Sequence, residues 1–336
     1  MKKEAVLKDL NRVGVKYFIG AIVIGLVQIL GSLLIKVAFP GISDDTEIDL
    51  SFILIILSVD LIGFPVLYML LRKDRSWESR PDEKFGFLNF IQFFCICYLA
   101  MFAGAMIGNV ISTMLTGSNA NAATSLILGS SNLFLRELAV GIMAPIFEEL
   151  IFRKLLIDHL AFRGKYFAMF TSAAFFALFH GNFSQFFYTF GLGLIFAFIY
   201  IKTGRIRYSI IYHMIINSFS SVIYVWIIKN AFGNDITAEE LSDMPALIEK
   251  SGGINSGIIL LSLYGLMLMG LAGLGLLSII LNLCLNKNFL VKEDGDPNEI
   301  IKGKEAFKAF FTSYGYWLFI IVCIGIFIFQ FVNAVN

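Results

Sequence analysis

Residues 145–153 read Pro-Ile-Phe-Glu-Glu-Leu-Ile-Phe-Arg, inside an otherwise apolar run of about membrane-spanning length, 133–157. A carboxylate at bilayer depth costs on the order of 2.5 kcal/mol or more on insertion scales, so an intramembrane acid marks a functional site by default. Here two adjacent carboxylates, Glu148 and Glu149, share the run with Arg153. Helix geometry sorts the three. Glu149 and Arg153 are four apart on one face, with the acid N-terminal to the base, the better order for a pair. Glu148 sits ~100° round the helix and lacks that partner. The spacing predicts that Arg153 neutralises Glu149 and that Glu148 is left for chemistry or a ligand.

The rest of the chain places this stretch in a membrane. Of 336 residues, 58% are hydrophobic and 15% charged, and 35 are Phe, more apolar surface than a soluble domain of this length needs. Repeated long apolar runs predict an all-α polytopic integral membrane protein with about nine transmembrane helices. The spans are read at about 17–39, 51–71, 87–115, 133–157, 166–180, 186–202, 208–228, 257–285 and 309–333. They group into three N-terminal spans (1–132), a motif-bearing core of four (133–228), and an external loop with two C-terminal spans (229–336). Basic residues dominate the N-terminus and the connections after spans two, four, six and eight, whereas the other connections are acidic or uncharged. The positive-inside rule then predicts a cytoplasmic N-terminus and an external C-terminus. Spans five and six have only about 15–17 residues, short for ~30 Å of hydrocarbon. The break between them, His180-Gly181-Asn182, is therefore a candidate for a turn at membrane depth, where protein or a watery cavity must cover irregular backbone.

Composition excludes other classes. The net charge of +1 and the confinement of basic residues to loops give no nucleic-acid footprint. Cys95, Cys97, Cys284 and Cys323 all fall in apolar runs and read as small buried residues rather than a disulfide or metal set. The first apolar stretch is too long for a cleavable signal peptide, and no small-residue cleavage site follows it. No linker, soluble domain or internal repeat stands out. Gly193 and Ala197, and Gly265 to Gly275, read as close-packing surfaces between helices.

Three histidines remain. His159, at the basic end of span four, reads as interfacial. His180 closes span five in Phe176-Ala-Leu-Phe-His180, and His213 opens His213-Met-Ile-Ile-Asn217 in span seven. His213 and Asn217 share a helix face. An imidazole and an amide buried in lipid without partners are costly, so both should face the bundle interior. Glu148, His180, His213 and Asn217 can then converge from three spans. A carboxylate and an imidazole can hold a water and take its proton, while a second imidazole and an amide can stabilise an oxyanion. The same Glu148, His180 and His213 equally suit Zn²⁺ with one open position. There is no H-E-x-x-H. Taken singly, each histidine also reads as a satisfied helix-end or helix-contact residue, and the Glu149–Arg153 pair as structural. Asp60 in span two reads as a structural or accessory polar group.

Glu148-Glu149-x-x-x-Arg153, Phe176-x-x-x-His180 and His213-x-x-x-Asn217, in that order on separate spans, resemble the CPBP family of CAAX-type intramembrane prenyl endopeptidases and their bacterial relatives. His180-Gly181-Asn182, Gly191, Gly193 and Lys202-Thr-Gly204 add to the likeness, which covers about 133–220. The resemblance implies an eight-helix CAAX-protease-like core with its cavity inside the membrane. It implies peptide-bond hydrolysis by glutamate-activated water. Glu148 and His180 would activate the water, His213 and Asn217 would form the oxyanion hole, and Glu149 and Arg153 would support the site. It leaves the metal open, since the family includes both metal-dependent and metal-independent descriptions. It also implies a bacterial plasma membrane and, as partners, membrane lipid and a peptide or membrane-protein substrate: a pheromone, a bacteriocin precursor or a membrane segment. Oligomeric state is left undefined. Two further readings are a non-proteolytic immunity or peptide-binding protein and a transporter with Glu148 and Glu149 as an ion site.

Overall fold

A computed structural model describes residues 2–78, 85–117, 122–285, 290–293 and 295–335. Arg80, Lys84, Lys287 and the polar stretch 118–121, part of the loop pattern above, lie outside these. Among the described residues the chain is helical without strands. The long elements are α1 (Lys2–Ala38), α2 (Asp44–Leu71) and α3 (Phe87–Thr116). After the short α4 (Ala122–Gly129) come α5 (133–160), α6 (Lys165–Phe179), α7 (Phe183–Thr203) and α8 (Arg207–Phe232). A short external helix, α9 (Met244–Lys250), precedes α10 (Ser256–Cys284), α11 (Gly303–Thr312) and α12 (Tyr314–Val335).

Among the described residues seven helices are long and apolar enough to cross a membrane: α1, α2, α3, α7, α8, α10 and α12. The two other expected spans are α5 and α6. Helix α5 is long, but its run is broken by Arg136, Glu137, Glu148, Glu149, Arg153, Lys154 and Asp158. Helix α6 has 15 residues. Both sit in the core, and Phe152, Leu156, Ile157, Phe175 and Phe176 are buried. The helices that flank them turn apolar side chains outward instead, such as Leu61 of α2 and Ile321 of α12.

Helices α1 and α12 run parallel. Gly14 and Gly315 face each other so closely that a Cβ on either would strike the other helix's backbone, and Tyr17 meets Phe319 with centroids 6.1 Å apart. Both helices therefore start at one face of the bundle and finish at the other. Helix α6 starts at the same face, where Glu293 accepts from the Lys165 amide at 3.0 Å and caps the helix. It ends at the His180-Gly181-Asn182 turn beside Ile326 and Gln330 of α12. Ile326 is twelve residues past Tyr314, ~18 Å at 1.5 Å per residue, so the turn lies at membrane depth. Gly181 takes φ +69°, which favours glycine. Asn182 satisfies the turn, since its side chain donates to the His180 carbonyl at 3.0 Å and accepts from the Gln185 amide at 2.9 Å.

Three sequence expectations need correction. Gly193 packs against Ala173 and Gly275 against the Cys95 backbone, but Gly265, Gly270 and Gly273 meet nothing within 4 Å and line no helix contact. Cys284 is exposed, unlike the other three cysteines. His159 is buried, its Nδ1 2.6 Å from the Leu155 carbonyl and its Nε2 3.1 Å from that of Leu71, and so ties α5 to α2.

Candidate active site

The site is built on helices with locally widened turns. Ile56–Gly63 in α2, Glu137–Met143 and Leu150–Leu155 in α5, and Phe219–Tyr224 in α8 are all π-helical. Two have a clear cause. Pro65 and Pro145 lack an amide hydrogen and crowd the carbonyl four residues back, and each stands two residues past the end of a π segment. The helix accommodates by i→i+5 bonding, as from the Ala144 amide to the Ala139 carbonyl. The widened turn leaves the Val140 carbonyl to accept from Asn217 Nδ2 at 2.9 Å.

Glu149 and Arg153 are both fully buried, with Nε 3.2 Å from Oε2. The guanidinium lies 4.2 Å from the ring centroid of Phe176 and 5.5 Å from that of Phe196, a cation–π cage in place of water. The other Glu149 oxygen, Oε1, is 3.1 Å from His213 Nδ1. A carboxylate can only accept, so Nδ1 carries the proton and Nε2 faces away from Glu149. Nε2 lies 3.6 Å from Oε2 of Glu148. Glu148 is the more open acid, its side chain 16% exposed against 0% for Glu149.

His180 is fixed the same way, with Nδ1 2.8 Å from the Phe176 carbonyl. A carbonyl only accepts, so this nitrogen also donates and leaves Nε2 free. The Phe176 ring stands edge-on to both imidazoles, at 4.7 Å from His180 and 5.8 Å from His213. Glu148 is a charged neighbour of His180. The structure thus brings Glu148, Glu149, Arg153, His180 and His213 together around Phe176, and sets Asn217 one turn along α8 on Val140.

Three participants take roles at the site that the sequence did not give them. Phe176 was only the first letter of a motif, yet it touches Arg153 and both histidines. Asp60 is 2% exposed, neither oxygen has a hydrogen-bond partner among the described residues, and Glu148 is its charged neighbour. Its helix meets α5 here, where Phe64 and Phe147 stack edge-on at 5.4 Å. The rarity of an acid in a span was the available signal; its position was not. Glu137 accepts from Ser218 and from Ser221, the latter at 2.8 Å, and so locks α5 to α8.

A zinc ion would need nitrogen and oxygen donors drawn in to about 2.0–2.2 Å. The Nε2 atoms of His180 and His213 and the Glu148 carboxylate have suitable chemistry. Among the described residues, however, no three His, Cys, Asp or Glu side chains are grouped closely enough to hold an ion. As arranged, Glu148, His180 and His213 do not fit a metal.

Residues 130–219 match the family described as type II CAAX prenyl endopeptidase Rce1-like. The chain is also similar to the membrane-embedded CAAX protease MroQ of Staphylococcus aureus (strain USA300), 37% identical over 87 residues, 24% of this chain and 35% of that protein. It thus spans about a third of the length of the relative it matches. No solved structure matches.

Proposed function

We propose that this chain, whose residues 130–219 belong to the CPBP family of CAAX-type proteases, is an intramembrane endopeptidase. It would hydrolyse a peptide bond in a membrane-associated protein or peptide. One observation carries the reading. His213 is held between Glu148 and Glu149, at 3.6 and 3.1 Å, on the interior of a bundle of membrane-crossing helices. Such a polar set is too costly to keep in a membrane without a task.

Glu148 and Nε2 of a neutral His180 are both acceptors. A water that donates to both directs its lone pair at a scissile carbonyl and passes a proton to Glu148 as it attacks. His213, its Nδ1 proton held by Glu149, presents Nε2 on the same side. That atom donates to a developing oxyanion when the ring is doubly protonated. The second amide hydrogen of Asn217 adds to it, the first being engaged by Val140. Glu148 then returns the proton to the leaving amine. Glu149 and Arg153 orient His213 without touching the substrate. The basic connections support a start of α1 in the cytoplasm and an end of α12 outside, and the family resemblance supports a bacterial plasma membrane.

The test compares peptides released from membranes carrying the intact protein with those from a Glu148→Gln variant at equal level. Peptides that appear only with the intact protein are expected. Identical profiles from a folded variant would overturn the reading in favour of non-proteolytic peptide binding.

A further inference from the structure

A cavity of about 1980 Å³ enters the bundle from the end opposite the basic connections. Its rim includes Asp44, Ser130 and Asp235, from the three connections at that end. No residue of the basic connections at 72–86, 161–165, 204–206 or 285–302 lines it among the described residues. Inside, Gly25 and Gln28 of α1 and Gln330 of α12 form part of the wall. Its inner boundary includes Gly181 and Asn182, the two residues that follow His180. Amide side chains at this depth suit water rather than lipid. The volume is about twice the 300–1,000 Å³ upper range of small-molecule pockets, so it has room for a polymer segment.

Resting on the endopeptidase reading, we propose that the substrate reaches the site through this cavity, from the extracytoplasmic face, as an extended polypeptide segment. Glu148 lies twelve residues below Arg136, a wall residue near the rim, ~18 Å along α5. An extended chain covers ~3.3 Å per residue, so roughly five or six residues bridge that distance. The bond cut therefore lies about that far along the segment that enters. The substrate class is a peptide or protein segment already on the outer surface of the membrane, rather than a cytosolic chain terminus.

Access can be read without any hydrolysis. A Cβ at Gly25 meets nothing within 4 Å, so Gly25→Cys adds a thiol to the cavity wall without a clash. Cys284 is exposed at the far end of α10, near the basic face, and serves as the native reference, while Cys95, Cys97 and Cys323 are buried. Membrane-impermeant methanethiosulfonates, one cationic and one anionic, are added to right-side-out and to inverted vesicles. Gly25→Cys in a Cys284→Ser background should label in right-side-out vesicles only, and Cys284 in the parent only in inverted ones. Labelling of both from the same side, or of Gly25→Cys from neither, overturns the route. A second variant, Gly25→Trp, projects an indole into the cavity away from the catalytic set and narrows the route. It should lose the peptides released by the parent; unchanged release from Gly25→Trp overturns the route and leaves the endopeptidase reading standing. A parent that releases no peptides removes the endopeptidase reading, and with it the proposal that this cavity admits a substrate, even where labelling shows it open.

Discussion

Arg153 is the residue on which the site's electrostatics turn. It is fully buried, and its charge is balanced by Glu149 and the faces of Phe176 and Phe196 rather than by water. Removing one partner of a buried pair leaves the other as an uncompensated charge, at a cost of about 3–5 kcal/mol, whereas replacing both is often near neutral. Arg153→Met should therefore lower stability by about that much. The double variant Glu149→Gln/Arg153→Met should recover most of it, because Gln still offers an oxygen to His213 Nδ1. Thermal unfolding in detergent reads the difference; equal loss in single and double variants would refute the charge argument. At this scale the sequence was informative about residues that lipid makes expensive. Two acids and a base in one apolar run, and two histidines in others, announced themselves by cost. The i,i+4 spacing also paired Glu149 with Arg153 correctly. That His213 would touch both acids was not legible, because it depends on how α8 packs against α5. The same holds for Asp60, whose neighbour Glu148 is 88 positions along the chain.

Among the elements, the π segments do most to set geometry, and hydropathy is blind to them. Pro145 stands three residues before Glu148, two residues past the end of one such segment. Pro145→Ala would restore an amide hydrogen and let α5 close with ordinary i→i+4 bonds. The hydrogen bond gained is worth about 0.5–1.5 kcal/mol net. The lost proline rigidity costs about 0.4–1 kcal/mol through the unfolded chain. Stability should thus change by less than about 1 kcal/mol, while the register of Glu148 and Glu149 against His213 shifts. Peptide release should fall steeply with an unchanged unfolding midpoint; unaltered release would mean that the widened turn is incidental. Like the uninterrupted apolar helices, α5 and α6 were legible as helices from the apolar runs at 133–157 and 166–180, but their enclosure by other helices was not. Length and apolarity define a span exposed to lipid, whereas a helix sheathed by other helices can hold seven charged residues or end at mid-depth on Gly181.

For the whole molecule, the alternation of basic connections agrees with the parallel course of α1 and α12, which an odd number of crossings produces. The basic face is also cross-linked. Arg163 pairs with Asp9, Lys16 with Asp74 at 2.5 Å, and Arg75 with Glu299 through two contacts of 2.8 Å. The last pair joins the connection after α2 to the one after α10, 224 positions apart. Arg75's hydrogen bond holds the Glu299 carboxyl below its ordinary range, with slight burial opposing. The folded chain therefore keeps this carboxylate ionised at a pH where the unfolded chain has begun to protonate it. The resulting stability is fully present above the ordinary glutamate value of about 4.3 and disappears as pH falls through the lowered folded value. Side-chain exposures of 59% and 30% mean that salt screens the pair, so its worth is that of a surface bridge, about 0.2–1 kcal/mol. Glu299→Gln should lower the unfolding midpoint slightly at neutral pH and low salt. The gap from the parent should close on acidification and in high salt. A gap that persists in acid would assign the effect to packing of residues 295–302 rather than to charge.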